Sequence, residues 1–164
     1  MFSNGIVIIA ITKRGVETAL KIREALAQQE LLSIVYAPEK YSQTGVVPLE
    51  KKFDEFVKDR YQTVDAIVGV MATGIIIRAV APLLQGKLVD PAVIGVDASG
   101  RFVISLLSGH YGGANQLTRL IADGIGATPV VTTASDVMGK QSVDELARIL
   151  HLKIMNPESL IAVN

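Results

Sequence analysis

The strongest constraint on this chain is an alternation: short, β-branched apolar runs recur between stretches whose apolar residues follow the helical period. Gly5–Thr12 (GIVIIAIT), Leu32–Tyr36, Ala66–Val70, Ala92–Val96, Phe102–Leu106 and Pro129–Thr132 are the strand candidates. They are short and rich in Val and Ile, which suits strands buried on both faces of a sheet. Lys13–Gln28 reads as a helix with Val16, Ala19, Leu20, Leu26 and Ala27 on one arc and Arg23 snorkelling in its middle. Leu49, Phe53, Phe56 and Val57 mark a second amphipathic helix reaching about Tyr61. Ile75–Leu84 is apolar nearly all round and so expected to be buried, with a kink or break at Pro82. Gln116–Asp123 is a further helix, and Ser142 with Glu145 forms a capping box before the stripe Val143, Leu146, Ala147 and Leu150. The expected fold is α/β, a layered α/β/α domain with a mostly parallel sheet. The short polar link Asp97–Arg101, with Gly100 late in it, adds one β-hairpin and therefore one antiparallel strand.

Composition narrows the function classes. Sixteen basic residues balance sixteen acidic ones in 164, so no global field attracts nucleic acid or an anionic membrane. The chain has no cysteine, which removes disulfides and thiolate metal sites. Mean hydropathy is high at +0.40. The longest apolar stretch, Gly69–Leu84, is nevertheless interrupted by Arg78 and Pro82 and is too short to span a bilayer. The amino terminus lacks a basic n-region and a cleavage site, so a soluble cytoplasmic protein is expected. Residues 1–155 read as one domain, and 156–164 as the start of a segment leading to a domain the chain does not contain.

Three loops follow strands and are rich in glycine and small hydroxyls: Met71–Gly74, Ser108–Asn115 (SGHYGGAN) and Thr132–Asp136. In open α/β sheets, ligands collect beyond the carboxyl ends of parallel strands. The three loops share one edge only if Ala92–Val96 is the reversed strand of the hairpin; if Phe102–Leu106 is reversed, the three-loop site separates. Gly109, Gly112 and Gly113 precede a helix and would offer amides to an anion. His110, inside that loop, is suited to general acid or base work. A glycine-rich turn with a surface histidine is the plainer alternative. Arg78 would either bind a carboxylate or pair with Asp90 or Asp97. Asp136 would orient the histidine or cap a turn, Asp97 and Arg101 would solvate the hairpin, and His151 would sit at a helix end. From the residues alone, two classes stay open: an enzyme acting on an anionic small molecule through His110, and a binding module using the same loops without turnover.

A family resemblance adds to this. Thr73-Gly74 with Arg78, Ala81–Leu84 (APLL), Lys87 with Asp90–Val93, Asp97 with Gly100-Arg101, LLSGHYGGAN at Leu106–Asn115 and ATPVVTTASD at Ala127–Asp136 occur in this order. The region is similar to cobalamin-biosynthesis protein G, the cobalt-precorrin-5A hydrolase family. The likeness is dense over about Val70–Leu150 and looser before it. It implies the anaerobic route to the corrin ring: opening of a δ-lactone on cobalt-precorrin-5A and release of acetaldehyde to give cobalt-precorrin-5B. Water must attack the lactone carbonyl, and amides of Gly109, Gly112 and Gly113 would stabilise the oxyanion. His110 would act as base, oriented by Asp136 or Thr133. Arg78 and Arg101 would hold ring carboxylates, with Thr73, Gly74, Ser108, Asn115 and Thr132 completing the substrate-binding set. The resemblance implies no protein metal site and no cofactor, the cobalt being carried by the corrinoid substrate. Family members carry a further segment and a carboxyl-terminal domain. Such a domain or another corrin-pathway enzyme is the implied partner, and oligomers are compatible with the sequence. A non-catalytic corrinoid-binding half is the alternative.

Overall fold

The computed structural model describes residues 2–134. The expected Ser142–Glu145 capping box, Asp136, His151 and the 155/156 domain boundary lie outside them.

Seven strands form one sheet: β1 (Ile6–Ala10), β2 (Ser33–Ala37), β3 (Val46–Pro48), β4 (Ala66–Val70), β5 (Ala92–Val96), β6 (Phe102–Leu107) and β7 (Thr128–Val130). Their spatial order is β3-β2-β1-β4-β5-β6-β7. β1 pairs in parallel with β2 and β4, β2 with β3, and β4 with β5. β5 and β6 are the antiparallel pair, with a register slip between Val93 and Ile94, and β7 runs parallel to β6. The mostly parallel sheet with one antiparallel pair is as expected. Phe102–Leu107 is the strand that turns back, and β7 turns with it.

β1, β4 and β5 are buried along their whole length, as their unbroken apolar runs require. β3 is an edge strand the sequence did not suggest: it has three residues, ends in Pro48 and exposes two of them. Proline is tolerated there because an edge need not donate on both sides.

The helices are α1 (Lys13–Ala27), α2 (Phe53–Arg60), α3 (Thr73–Val80) and α4 (Ala114–Ile125). Val16, Ala19, Ile22 and Leu26 of α1, with Leu117 and Ile121 of α4, join one core cluster against one face of the sheet. Phe56 and Val57 of α2, with Ile76, Ala79 and Val80 of α3, join a second cluster on the other face. The result is the expected three-layer α/β/α arrangement. Thr12 opens α1 by accepting a hydrogen bond from the Gly15 amide at 3.0 Å.

Two details differ from expectation. The buried arc of α1 is turned so that Ile22, not Arg23, lies at its centre, while Ala27 is exposed. Arg23 instead donates to the Gly45 carbonyl at 2.6 Å, tying the helix to the turn before β3. α3 is a surface helix and not a buried one: Ile77 is 50% exposed and Arg78 faces solvent. One side of α3 suffices to cover the sheet, so hydrophobicity all round it does not mean burial all round. The break at Pro82 occurs as expected, in a 3-10 turn over Ala81–Leu83 after α3 ends.

Candidate functional site

Strand direction decides which loops meet. Val70 at the end of β4 lies beside Val96 at the end of β5, and Val96 pairs with Val103 near the start of β6. The loop after β6 therefore returns to the edge where β1, β4 and β5 begin. The segment after β7 goes with it, because Thr128 pairs with Phe102. Met71–Gly74, expected to converge with Ser108–Asn115 and Thr132–Asp136, lies apart from Ser108–Asn115 and from Thr132 and Thr133, described residues of that third loop. Thr73 and Gly74 stand at one end of the sheet, and His110 with Thr132 and Thr133 at the other, about 13 Å of strand between them.

At the His110 end, the loop Ser108–Gly113 is folded against fixed partners. Ser108 adopts a left-handed conformation (φ 58°), uncommon without glycine, and its hydroxyl donates to the Asp90 carbonyl at 2.9 Å. Strain of this kind persists where surrounding contacts over-determine it. Gly112 crosses Ser108 so closely that a Cβ there would come within 2.9 Å of the Ser108 carbonyl oxygen. Gly109 lies against the Asn115 side chain, where a Cβ would approach Oδ1 to 2.7 Å. Gly113 (φ 81°) opens α4 in the left-handed conformation.

The anion cradle expected at this helix start is largely closed. The Gly113 amide donates to the His110 carbonyl at 3.0 Å, Ala114 to Ser108 at 3.1 Å, and Asn115 to Gly109 at 3.0 Å. Gly113 is thus removed as an oxyanion donor: the loop folds back and satisfies its own helix. Of the three glycine amides proposed for an incoming oxygen, Gly109 and Gly112 keep that role open. His110 itself is half-buried beside them.

Asn115 sits beneath the loop, only 4% exposed. Its Oδ1 accepts from the Ser105 hydroxyl at 2.7 Å, and its Nδ2 donates to Thr133 Oγ1 at 2.9 Å. Thr133 is half-buried and Thr132 exposed. The side chain of Asn115 therefore joins β6, the His110 loop and the segment after β7.

Beside the loop lies a cavity of about 320 Å³ whose lining includes Tyr61, Asp65, Asp90, Tyr111 and Gly112. Asp90 is 6% exposed, and its two carboxylate oxygens accept from the Gln85 and Gly86 amides at 2.9 and 3.0 Å. The adjacent Tyr61 hydroxyl is fully buried and makes no well-aligned hydrogen bond. Burial, and then the nearby Asp90 carboxylate, push its ionisation well above the ordinary tyrosine range. From the residues, Asp90 reads as an ion-pair partner for Arg78; the amides its carboxylate accepts give it a different part, holding the 85–90 turn.

The opposite end gathers cations. Arg78 donates to the Gly74 carbonyl one turn back at 3.1 Å, and pairs with neither Asp90 nor Asp97. Asp97 accepts from the amides of Ser99, Arg101 and Phe102 at 2.8–2.9 Å. Desolvation acts to raise its carboxyl, but those amides and the Arg101 charge outweigh it and hold the group below the usual carboxylate range. Arg101 lies over the Phe102 ring at 5.5 Å. Lys13, Arg14 and Lys21, which the sequence reading passed over, line a cavity of about 450 Å³ with Ser99 of the same turn. Their signal was their place in the first turns after β1: chain connections from β1 and β4 leave in opposite directions, the position where open sheets bind ligands. Among the described residues no group of three or more His, Cys, Asp or Glu could hold a metal ion, and no helix is long and apolar enough to cross a membrane.

Comparison with known proteins gives these geometries a context. The cobalamin synthesis G N-terminal family matches residues 55–136, half of the chain. A cobalt-precorrin-5A hydrolase of Salmonella typhimurium is 38% identical over 149 residues, covering 91% of this chain and 41% of that protein. One from Priestia megaterium is 35% identical over 142 residues, covering 84% and 37%. The chain thus spans less than half the length of these relatives. A crystal structure described as a cobalamin biosynthesis protein G homolog from Sulfolobus solfataricus superposes with a TM-score of 0.66 at 29% identity, covering 99% of this chain and 45% of that one.

Proposed function

The chain belongs to the cobalamin synthesis G N-terminal family, and on that premise we propose that it is the amino-terminal part of a cobalt-precorrin-5A hydrolase. In this reading it works in the cytoplasm on a corrinoid whose cobalt comes with the substrate, and the protein supplies no cofactor of its own. The relatives' shared name supports the substrate class. The observation that carries the site is the Asn115–Thr133 hydrogen bond, which joins LLSGHYGGAN and ATPVVTT at one sheet edge although they are separate in the chain.

The chemistry follows from that end of the sheet. Water adds to the lactone carbonyl, with the amides of Gly109 and Gly112 in reach of the developing oxyanion. The ring C–O bond breaks to leave a carboxylate and an alcohol. His110 then takes the alcohol proton, the adjacent C–C bond breaks, and acetaldehyde leaves while the electron pair stays on the macrocycle. Thr133, with Asp136 from the segment that follows it, would orient the imidazole. Arg78 and Arg101 stand at the other end and would not touch the same reacting centre. With Thr73, Gly74 and the Lys13–Arg14 surface they suit the carboxylates of a macrocycle reaching past the sheet, or of one held by the remainder of a longer protein.

The test is acetaldehyde release from cobalt-precorrin-5A, measured with the chain alone and with the carboxyl-terminal part of the Salmonella typhimurium relative added. Release in either mixture that falls about 10²- to 10⁴-fold in His110→Ala supports the reading. An unchanged rate in His110→Ala removes the base assignment. Binding without release in both mixtures leaves the corrinoid-binding half as the function. Arg78 donates only within its own helix, so Arg78→Ala should change stability by less than about 0.5 kcal/mol; a loss of substrate affinity then reports on binding and not on folding.

A further inference from the structure

The family resemblance puts Asn115 among the substrate-binding residues. Its surroundings give it a different task. It is 4% exposed, and both ends of its side-chain amide are held within the protein, by the Ser105 hydroxyl at 2.7 Å and Thr133 Oγ1 at 2.9 Å. Its own backbone amide returns to the Gly109 carbonyl at 3.0 Å. Gly109 in turn has no room for a side chain because the Asn115 amide fills that space. A side chain so enclosed cannot reach a macrocycle outside.

We propose that Asn115 is a positioning residue: it fixes the His110 loop against the Thr133 segment and sets where the imidazole stands. The choice of side chain supports this. Bridging the Ser105 hydroxyl and Thr133 Oγ1 calls for a short planar group with an acceptor at one end and a donor at the other. Asparagine meets this; aspartate would bury a charge, and leucine, of similar size, would leave both hydroxyls without partners. The inference rests on the proposed reaction for its kinetic consequence but not for its structural one, which allows the two to fail separately.

Ser105 lies in β6 and its hydroxyl donates to the Asn115 amide oxygen, so Ser105→Ala removes one hold on that amide. Two readouts are required, on the whole chain. The first is the steady-state rate of acetaldehyde release, in whichever mixture is active. The second is the NMR titration of the His110 ring, tractable because the chain has only two histidines, so that a His110→Gln spectrum assigns the signals. Thermal unfolding confirms that each variant is folded.

The expected result is that Asn115→Ala lowers kcat about tenfold or more while KM changes less than about twofold, since ground-state binding is untouched. Ser105→Ala should follow in the same direction with a smaller drop, and Ser105→Thr, which keeps the hydroxyl, should restore it. In both alanine variants the His110 signal should move. A rise in KM at constant kcat for Asn115→Ala, with Ser105→Ala silent, overturns the proposal and makes Asn115 a substrate ligand. So does an unmoved His110 signal in folded variants. If no mixture releases acetaldehyde, the proposed reaction falls, and the His110 titration alone decides the part played by Asn115.

Discussion

Gly109→Ala probes the contact on which the His110 loop depends. The new Cβ would lie 2.7 Å from Asn115 Oδ1, 3.0 Å from Nδ2 and 3.1 Å from Cγ. An ordinary contact is about 3.5 Å, so the asparagine must retreat by roughly half an ångström or more. It cannot retreat freely, because Ser105 and Thr133 hold both ends of its amide. Forcing an extra methyl into such a site costs about 1–3 kcal/mol, and a lost buried hydrogen bond adds about 1–3. We expect a combined loss of about 2–6 kcal/mol, which in a chain of this size lowers the melting midpoint by about 5–20 °C. Gly126→Ala provides the comparison: its φ of 69° strains any side chain, but nothing lies within 4 Å of the new Cβ. That variant should lose about 1–2 kcal/mol from backbone strain alone. Urea unfolding followed by circular dichroism, with m compared across variants, measures both. If Gly109→Ala proves no more costly than Gly126→Ala at unchanged m, the packing argument for this loop is wrong.

Two further outcomes follow from the charges. Asp97 is held below its ordinary value in the folded state, so its contribution to stability is present above the unfolded pKa of about 3.9 and is lost as pH falls through the lower folded value; Asp97→Asn should flatten that part of an acid-unfolding curve. Asp90→Ala removes the buried carboxylate that accepts from the Gln85 and Gly86 amides and should cost about 2–4 kcal/mol in urea unfolding, whereas Tyr61→Phe removes a hydroxyl without an aligned partner and should stay within about 1 kcal/mol. Equal losses in the two would refute the assignment of Asp90 as the group that holds the 85–90 turn.

Much of this fold could be read directly from residue order. Ala66–Val70 and Ala92–Val96 appear with the expected bounds because β-branched runs flanked by polar or small residues leave few alternatives. The break at Pro82 follows from the proline ring itself. β3 was invisible because three residues carry no periodicity and Pro48 argues against a strand. The direction of β6 was also hidden: a polar five-residue link fixes that two strands are antiparallel but not which one departs from the rest. That single ambiguity decided the site. The glycines of the SGHYGGAN loop point to an open anion cradle at the helix start. The carbonyls that fill the cradle belong to Ser108, Gly109 and His110, and whether a loop turns its carbonyls inward depends on tertiary contacts such as Ser108 with Asp90. Asn115 looked like a ligand because burial of one side chain cannot be seen from its neighbours in the chain.

The reversal at β5–β6 also sets the Arg101 turn and the His110 loop at opposite ends of a buried sheet. Between them stand Val68 and Ile94, both 0% exposed and paired in the unbroken parallel register of β4 and β5. Arg101 and Ser108 stand at opposite ends of β6, roughly 20 Å of strand apart. A substitution at Arg101 and one at His110 can therefore be made and read separately, because neither alters the other's neighbours in space.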